Sequence, residues 1–225
     1  MEPEKPVVSA TPIRVRGDLD PALSRWMWLI KWLLAIPHYI VLFFLHIAYL
    51  VLTVIAFFAI LITGKYPRAV FEFNVGVMRW SWRVVFYSLF VLGTDKYPPF
   101  SLRSDADYPA DLEIDRPETL HRGLVLVKWW LLAIPHYAIV AAMTGGGVSI
   151  GMSDSEDLAG ASIPLGSILL IIAVLVLLFT ARYPRGIYDF VMGINRWFIR
   201  VQAYAGLMRD EYPPFRLDQG AREAD

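Results

Sequence analysis

The stretch LLAIPHY occurs twice in this chain, at residues 33–39 and again at residues 131–137, each time behind a Lys-Trp pair. An identity of this length at matching places in two halves of a chain indicates an internal duplication. We call the two halves the first and the second copy. Because the same unit is written twice, the two copies can be compared to locate helices and turns.

The composition is that of a membrane protein with several spans. Hydrophobic residues make up 56% of the 225 residues and charged residues only 19%, a balance too apolar for an ordinary soluble domain. The 21 basic and 21 acidic residues give no net charge, so nothing supports a nucleic-acid partner. The absence of cysteine excludes disulfides, thiol nucleophiles and thiolate metal sites.

The apolar run in the first copy is too long for one ordinary span. Residues 26–62 are interrupted only by Lys31, His38 and His46, whereas one crossing needs roughly 20 residues. The run is therefore one long tilted helix or a hairpin of two spans. The second copy favours the hairpin, because the polar segment 144–162 separates two apolar stretches there. We therefore predict a turn near His46 and spans at about 25–45, 47–63, 122–143 and 163–180.

A second repeated block follows each apolar run and predicts an amphipathic helix, at residues 68–92 and 185–207. At 100° per residue, Glu72, Arg79 and Arg83 share one narrow polar stripe with Gly76, and the counterpart stripe contains Asp189, Gly193, Arg196 and Arg200. Such a helix is expected at the inner membrane interface or packed under the bundle. Its acids and arginines are expected either to pair between the copies or to bind lipid phosphates. A membrane-spanning third helix is the competing topology.

The charge distribution predicts the orientation. The loop between the spans of the second copy contains three acids and no Lys or Arg, whereas bases lie at the other ends of the spans, namely Arg25, Lys65, Arg68, Arg122, Arg182 and Arg185. By the bias that keeps Lys and Arg cytoplasmic, both termini and the central linker are expected in the cytoplasm. Short alternating segments at 13–16 and 112–114 predict strands there, pairing with the residues behind each Tyr-Pro-Pro-Phe.

The predicted fold is therefore an all-α membrane protein of two tandem repeats, each a transmembrane helical hairpin plus an amphipathic interfacial helix, with short strands at the cytoplasmic face. Residues 1–11 are expected to be a mobile tail, residues 12–103 the first repeat, residues 104–217 the second, and residues 218–225 a C-terminal tail. The predicted location is the cell membrane.

The ordered motifs resemble those of a known family. Ser-Arg-Trp and Lys-Trp precede LLAIPHY, and Lys-Tyr-Pro-Arg, Phe-Asn, Arg-Trp and Tyr-Pro-Pro-Phe follow it. This set resembles the bacterial membrane-protein family called domain of unknown function 4389, in its tandem form, from Pro12 to Leu217. The second copy departs from the pattern at Gly123, at Asp189 and in its long inserted loop. The resemblance implies an integral membrane protein with no assigned reaction, hence no catalytic residues to carry over.

Four polar residues within the predicted spans are candidates for chemistry. His38 and His136 each follow a proline, which frees a carbonyl four residues earlier, and Lys31 and Lys128 lie about two turns inside their spans. A buried imidazole at a kink is either a proton relay, a metal ligand, part of a pore lining, or a packed residue that shapes the kink. The last interpretation is favoured, and no metal-ligand spacing is present. The lysines are expected to reach back to the headgroups.

Two functions follow from these patterns. The first is a non-catalytic multi-pass membrane protein that acts through membrane lipids or other membrane proteins, without a cofactor. The alternative is a small transporter or channel whose path between the copies is lined by His38, His136, Lys31 and Lys128. A polar cavity that reaches these residues favours transport, whereas dry packing favours the scaffold. No nucleophile, base and orienting group form a recognisable set for an enzyme.

Overall fold

The computed structural model describes residues 11–88, 90–144, 165–180, 183–215 and 217. The described chain is mostly helical with one small sheet. Its elements are, in order, β1 (Ile13–Gly17), α1 (Trp28–Leu34), α2 (Ile36–Thr63), α3 (Arg68–Tyr87), β2 (Ala110–Ile114), a 3-10 turn (Leu124–Leu126), a π-helical turn (Lys128–Leu132), α4 (Ile134–Thr144), α5 (Leu165–Thr180) and α6 (Arg185–Ala205).

Helix α2 is the longest helix of the described chain and is strongly apolar. Its 28 residues extend about 42 Å and include an 18-residue stretch with a mean hydropathy of 2.7, which makes it the one helix of the described chain that is long and apolar enough to cross a membrane. Only 17% of its most apolar stretch is buried inside the protein, so α2 is not the core helix of a soluble domain. It ends at Gly64, whose left-handed φ of 71° suits a residue without a side chain.

The turn predicted near His46 is wrong, because α2 continues through that residue. No glycine or proline lies between residues 38 and 63, and the ring nitrogen Nδ1 of His46 lies 2.7 Å from the carbonyl oxygen of Leu42, one turn earlier. The polar side chain is therefore satisfied within the helix and needs no turn. The break lies at Ala35 instead, just before Pro37. The predicted spans 25–45 and 47–63 are replaced by α1 and α2.

The second copy breaks at the matching place. The span predicted at 122–143 consists of the 3-10 turn, the π-helical turn and α4, with the break at Ala133 just before Pro135. Helix α5 lies within the predicted span 163–180. The acidic loop, with residues 145–164, lies outside the described residues, as do residues 1–10 and 218–225, to which most of the predicted tails belong.

Helix α3 runs antiparallel to α2 and is buried instead of interfacial. Asn74 of α3 donates to Thr53 of α2 over 3.2 Å, and further along α3 the Ser81 hydroxyl lies 3.5 Å from His46. Twelve of its 20 residues are buried, and it ends at Tyr87, five residues before the predicted end at 92. Helix α6 ends at Ala205, two residues before the predicted end at 207.

The two short strands pair with each other. Strands β1 and β2 form an antiparallel two-stranded sheet. No strand forms at residues 101–102, so the predicted pairing with the segment behind the first Tyr-Pro-Pro-Phe is wrong, and most of the segment behind the second lies outside the described residues. The alternation places the pairs Ile13 with Ile114 and Val15 with Leu112 on a buried face of the sheet. The pair Arg14 and Glu113 lies on the opposite face and is exposed, whereas on the same face Arg16 is half-buried and Asp111 is buried.

Each copy holds the strand of the other copy. The guanidinium Nε of Arg79 in α3 donates to the carbonyl of Leu112 in β2 over 2.7 Å, and Nε of Arg196 in α6 donates to the carbonyl of Val15 in β1 over 3.3 Å. Val15 and Leu112 are partners in the sheet, so these contacts are reciprocal. The two copies therefore share one core and do not fold as separate domains.

Three layers result. The ring centres of Phe86 in α3 and Tyr188 in α6 lie 6.5 Å apart. A Cβ added at Gly17 in β1 would meet both Phe86 and Met192 of α6. Helices α3 and α6 therefore cover the buried face of the sheet together. On the other side of α3, Trp80 faces α2, since Trp80 and the sheet-facing Trp82 lie 200° apart around the helix. The order is sheet, then α3 with α6, then α1–α2 with α4–α5.

Candidate functional site: two repeated clamps

The four candidate residues of the apolar helices do not meet in one place. Lys31 and His38 contact the loop of residues 94–100, and Lys128 and His136 contact the equivalent loop of residues 209–215. We call these contacts the first clamp and the second clamp. Each clamp ties LLAIPHY to Tyr-Pro-Pro-Phe of the same copy, so the two repeated motifs belong to one structure.

Lys31 is buried in the first clamp with its charge paired. Its side chain is 2% exposed, and Nζ lies 2.7 Å from the carbonyl oxygen of Thr94 and 2.8 Å from Oδ1 of Asp95. The ammonium also lies 5.3 Å from the ring centre of Tyr87, within range of a cation–π contact. The Lys31 side chain therefore points into the protein, toward Thr94 and Asp95, and does not extend to the headgroups as predicted.

Lys128 repeats this arrangement in the second clamp. Nζ donates to the carbonyl of Arg209 over 3.0 Å and to Oδ1 of Asp210 over 2.8 Å, and it lies 5.6 Å from the ring centre of Tyr204. The side chain is fully buried. The same three partners, a carbonyl, a carboxylate and a tyrosine ring, thus surround both lysines.

The aspartate of each clamp also accepts a hydrogen bond from the backbone. Oδ2 of Asp95 accepts the backbone N–H of Ser24 over 2.6 Å, and Oδ2 of Asp210 accepts that of His121 over 2.7 Å. Burial raises the pKa of Asp95, but the hydrogen bonds from Lys31 and Ser24 outweigh it and leave this pKa below its ordinary value. The carboxylate therefore stays ionised and holds the chain that enters the first apolar helix.

His38 fills an aromatic cage. Its ring stacks on Phe100 with centres 3.9 Å apart and contacts Tyr97 at 4.8 Å. Trp80 Nε1 donates to Nδ1 of His38 over 3.0 Å, which places the proton of a neutral ring on Nε2. The Tyr97 hydroxyl donates to the carbonyl of Leu34 over 3.1 Å, so the cage also supplies a donor at the helix break.

The cage of His136 has the same rings without the hydrogen bond. Its ring stacks on Phe215 at 4.4 Å and contacts Tyr212 at 4.8 Å and Trp197 at 5.5 Å. Within the described residues neither ring nitrogen of His136 has a hydrogen-bond partner. The shared feature of the two cages is thus aromatic packing.

A strained residue directs each loop back onto its histidine. Leu92 and Leu207 have left-handed φ values of 56° and 65°, and each lies five residues before the tyrosine of Tyr-Pro-Pro-Phe. This conformation is costly for a leucine and persists only where the surroundings enforce it. Both leucines are almost fully buried, so their packing supplies that constraint.

The arginine stripe of α3 belongs to the core beside the sheet. Arg83 is fully buried, and its Nη2 lies 3.1 Å from Oδ1 of Asp111, the atom that Nε of Arg79 also reaches over 3.1 Å. Ser104 donates to the other carboxylate oxygen of Asp111. Of the two predictions for the stripe, pairing between the copies or binding to lipid phosphates, these arginines therefore pair with Asp111 of β2 and not with the stripe acid Asp189, and Arg83 is not exposed to lipid phosphates.

The remaining stripe residues lie apart from that cluster. Glu72 pairs with Arg68 one turn earlier on its own helix, over 2.7 Å, with its side chain 61% exposed. Arg196 and Arg200 are buried in α6, whereas Asp189 is partly exposed near its start. Gly76 abuts Leu102, and a Cβ there would lie 2.8 Å from the Leu102 side chain, so this glycine admits a loop and not a second helix.

Two surface grooves lie on α2 and beside the sheet. One, of about 390 Å³, is an apolar groove along α2 between Ile36 and Phe44. The other, of about 260 Å³, lies on the polar face of the sheet beside Arg14 and Glu113. Neither is lined by Lys31, His38, Lys128 or His136. Within the part of the chain that the structure describes, no group of three His, Asp or Glu side chains lies close enough for a metal ion.

The partners of Lys31, His38, Lys128 and His136 in the clamps were not predicted from the sequence. Asp95 and Asp210 each lie two residues before the tyrosine of Tyr-Pro-Pro-Phe, and this repeated spacing was a usable signal. The stacking of Phe100 and Phe215 on the histidines had no such signal, because it depends on a loop that returns over about 60 to 80 residues. Asp111 is not repeated in the first copy, because Leu112 corresponds to Val15 and the residue before Val15 is Arg14.

Comparison with characterised proteins and with solved structures gave no match. Comparison with protein families gave one family, in two segments, residues 25–101 and 164–216. The second segment begins after the inserted loop and omits the second LLAIPHY. Two matching segments in one chain agree with the duplication. Together they cover more than half of the chain, which belongs to the family described as domain of unknown function (DUF4389).

Proposed function

We propose that this protein is held in a lipid bilayer and acts without catalysis, through contacts with lipids or with other membrane proteins. The observation that carries the proposal is the surface of α2. Phe43, Phe44, Leu50 and Ile62 are each more than 60% exposed, and no Asp, Glu, Lys or Arg lies between residues 36 and 63. An apolar surface of this length in water would drive aggregation, whereas in acyl chains it is stable.

The clamps support a structural role for their polar residues. Each lysine neutralises the aspartate of its own loop, and each histidine is enclosed by three aromatic rings of its own copy. All four side chains are buried, so none of them presents a surface to a substrate. The alternative function, transport along a path lined by these residues, needs a polar cavity between the copies that reaches them, and neither of the two grooves described above is lined by them.

The number of membrane crossings is the part of the sequence-based topology that we do not carry forward. Four crossings require a hairpin in each copy, and the continuous α2 has none. The described part of α5 adds 16 residues, about 24 Å, less than the roughly 30 Å of hydrocarbon in a bilayer. The cytoplasmic location of both termini stays a prediction.

The test compares two lysine substitutions on opposite faces. Val51→Lys places a charge on the exposed surface of α2, and Ala106→Lys places one on the exposed loop beside the sheet. We expect Val51→Lys to reduce the carbonate-resistant membrane fraction and Ala106→Lys to leave it unchanged. The unmodified protein should also co-purify from native membranes with lipid or a partner protein. Full extraction of the unmodified protein by carbonate would contradict the proposal.

A further inference from the structure

The layers give the molecule one polar face and one apolar face, on opposite sides. The polar face is the outer side of the sheet, where Arg14 forms ion pairs with Glu113 over 3.1 Å and with Asp115 over 2.8 Å, all three side chains being about half exposed. The apolar face is formed by the exposed residues of α2, α4 and α5, among them Ile40, Val51, Ile62, Ile134, Ile171 and Phe179.

The polar face lies level with the middle of α2, not beyond either of its ends. Arg79 of α3 reaches the strand β2, and Ser81, two residues further along α3, lies beside His46 of α2. His46 is the eleventh of the 28 residues of α2. The sheet therefore lies beside the middle part of the apolar helix, with α3 between them.

This arrangement decides how α2 lies in a bilayer. If α2 stood along the membrane normal, the half-exposed Arg14, Glu113 and Asp115 would lie at the depth of the hydrocarbon core. Exposed charges at that depth are unfavourable even when they are paired. If α2 lies in the membrane plane, the same three residues are in water and the apolar face is among acyl chains. Each face is then in the solvent that suits its side chains.

Contacts between the copies agree with a flat orientation. The Leu120 N–H donates to the carbonyl of Gly64 at the end of α2, and a Cβ at Gly206 would meet the hydroxyl of Tyr49, near the middle of α2. The second copy thus lies alongside α2. The reciprocal contacts of Arg79 and Arg196 relate the copies about the centre of the sheet, so both present their apolar helices on the same side.

The charge of the rim identifies the kind of lipid. Exposed bases lie at the ends of the apolar helices, namely Arg25, Lys65, Arg122 and Arg185, together with Arg68, which is paired with Glu72. The sheet side is of mixed charge, since Glu113 and Asp115 are exposed there with Arg14 and Arg103. A basic rim around an apolar face complements anionic headgroups at the depth where acyl chains begin. Exposed Trp26, Trp32, Trp129 and Trp130 suit the same depth.

We infer that the protein lies flat on one leaflet of an anionic phospholipid bilayer, with α2 in the membrane plane and the sheet in water. The inference rests on the proposed function, since it names the surface that enters the membrane. It replaces the four spans by a single face.

The test uses the absence of cysteine in the natural chain. Ile40→Cys, Val51→Cys and Ile62→Cys lie 11 residues apart on the exposed side of α2, and Glu113→Cys lies on the polar face. Each full-length variant carries one nitroxide label in vesicles of phosphatidylcholine and phosphatidylglycerol, prepared with a water-soluble nickel chelate on both sides. The accessibility of the label to oxygen and to the chelate gives its depth.

In the flat orientation the three α2 labels lie at one shallow depth, within about 5 Å of each other, and the Glu113→Cys label is fully accessible to the chelate. In a spanning orientation the first and last α2 labels lie up to about 33 Å apart along the normal, the middle label is deepest, and the Glu113→Cys label is shielded. That result would overturn the inference and leave the proposed function in place. Failure of the unlabelled protein to float with the vesicles would overturn both.

Discussion

Removing the carboxylate of Asp95 leaves the ammonium of Lys31 buried without its counter-charge. Asp95→Asn keeps an oxygen for the N–H of Ser24 but deletes the ion pair of 2.8 Å. Lys31 is 2% exposed and Asp95 16%, so solvent screens the pair little. Breaking a buried ion pair by removing one partner costs about 3 to 5 kcal/mol, because an uncompensated charge remains. We expect a loss of about 3 kcal/mol for Asp95→Asn.

Thermal unfolding in detergent micelles, followed by tryptophan fluorescence, measures this loss. For a chain of this size, about 3 kcal/mol corresponds to a fall in Tm of roughly 6 to 12 °C. Asp210→Asn is the matched variant, since it removes the same pair from Lys128 in the second clamp. The double variant Lys31→Met with Asp95→Asn should be more stable than Asp95→Asn alone, because no buried charge is left.

A different result would refute the reasoning. If Lys31 instead extends to the headgroups, as the sequence suggested, Asp95→Asn lowers Tm by less than about 2 °C and Lys31→Met does not rescue it. If the losses from Lys31→Met alone and from Asp95→Asn alone add up in the double variant, the ammonium and the carboxylate do not interact.

Three further predictions concern the clamps and their surroundings. Trp80→Phe should cost about 1 kcal/mol more than Trp197→Phe in the same unfolding assay, because only Trp80 donates a hydrogen bond to its histidine; equal losses would contradict the assigned bond. Gly76→Ala should destabilise by about 1 to 3 kcal/mol through contact with Leu102, whereas Gly186→Ala, with open space around it, should be neutral or stabilise by up to about 1 kcal/mol; similar effects of the two changes would argue against the close approach. The depressed pKa of Asp95 adds stability above its unfolded-state pKa of about 3.8, which is lost as the pH falls through the lower folded-state value, so Asp95→Asn should show a weaker loss of Tm in acid; an acid dependence identical to that of the natural chain would exclude this carboxylate as its source.

Much of the fold was predictable because it follows from local pattern. The duplication, the bounds of α6 and the existence of both strands were read from spacing and alternation in the sequence. The place of the helix break was not, although Pro37 marked it, because the long inserted loop of the second copy suggested a turn near His46. The inserted loop shows only that the second copy tolerates extra residues at this place. It does not require a turn at the matching place of the first copy, where α2 is continuous.

The partners of the polar residues were less predictable, for a different reason. The stripe of Arg79 and Arg83 was recognised, but its carboxylate, Asp111, comes from a strand that is not repeated in charge. The bias that keeps Lys and Arg cytoplasmic only chooses between orientations of helices that are already assumed to cross the membrane, so it could not test whether they cross it. It contains no information on a sheet that lies beside the middle of the helix, and only the packing of α3 between α2 and the sheet reveals this.

Polarised infrared dichroism of the amide I band in aligned bilayers distinguishes a single membrane-facing surface from a series of spans, because α2 and α3 are antiparallel and report one common axis direction. If one face of the protein is in the membrane, the helix axes lie close to the membrane plane. Helix axes close to the membrane normal would show that the helices span the bilayer instead.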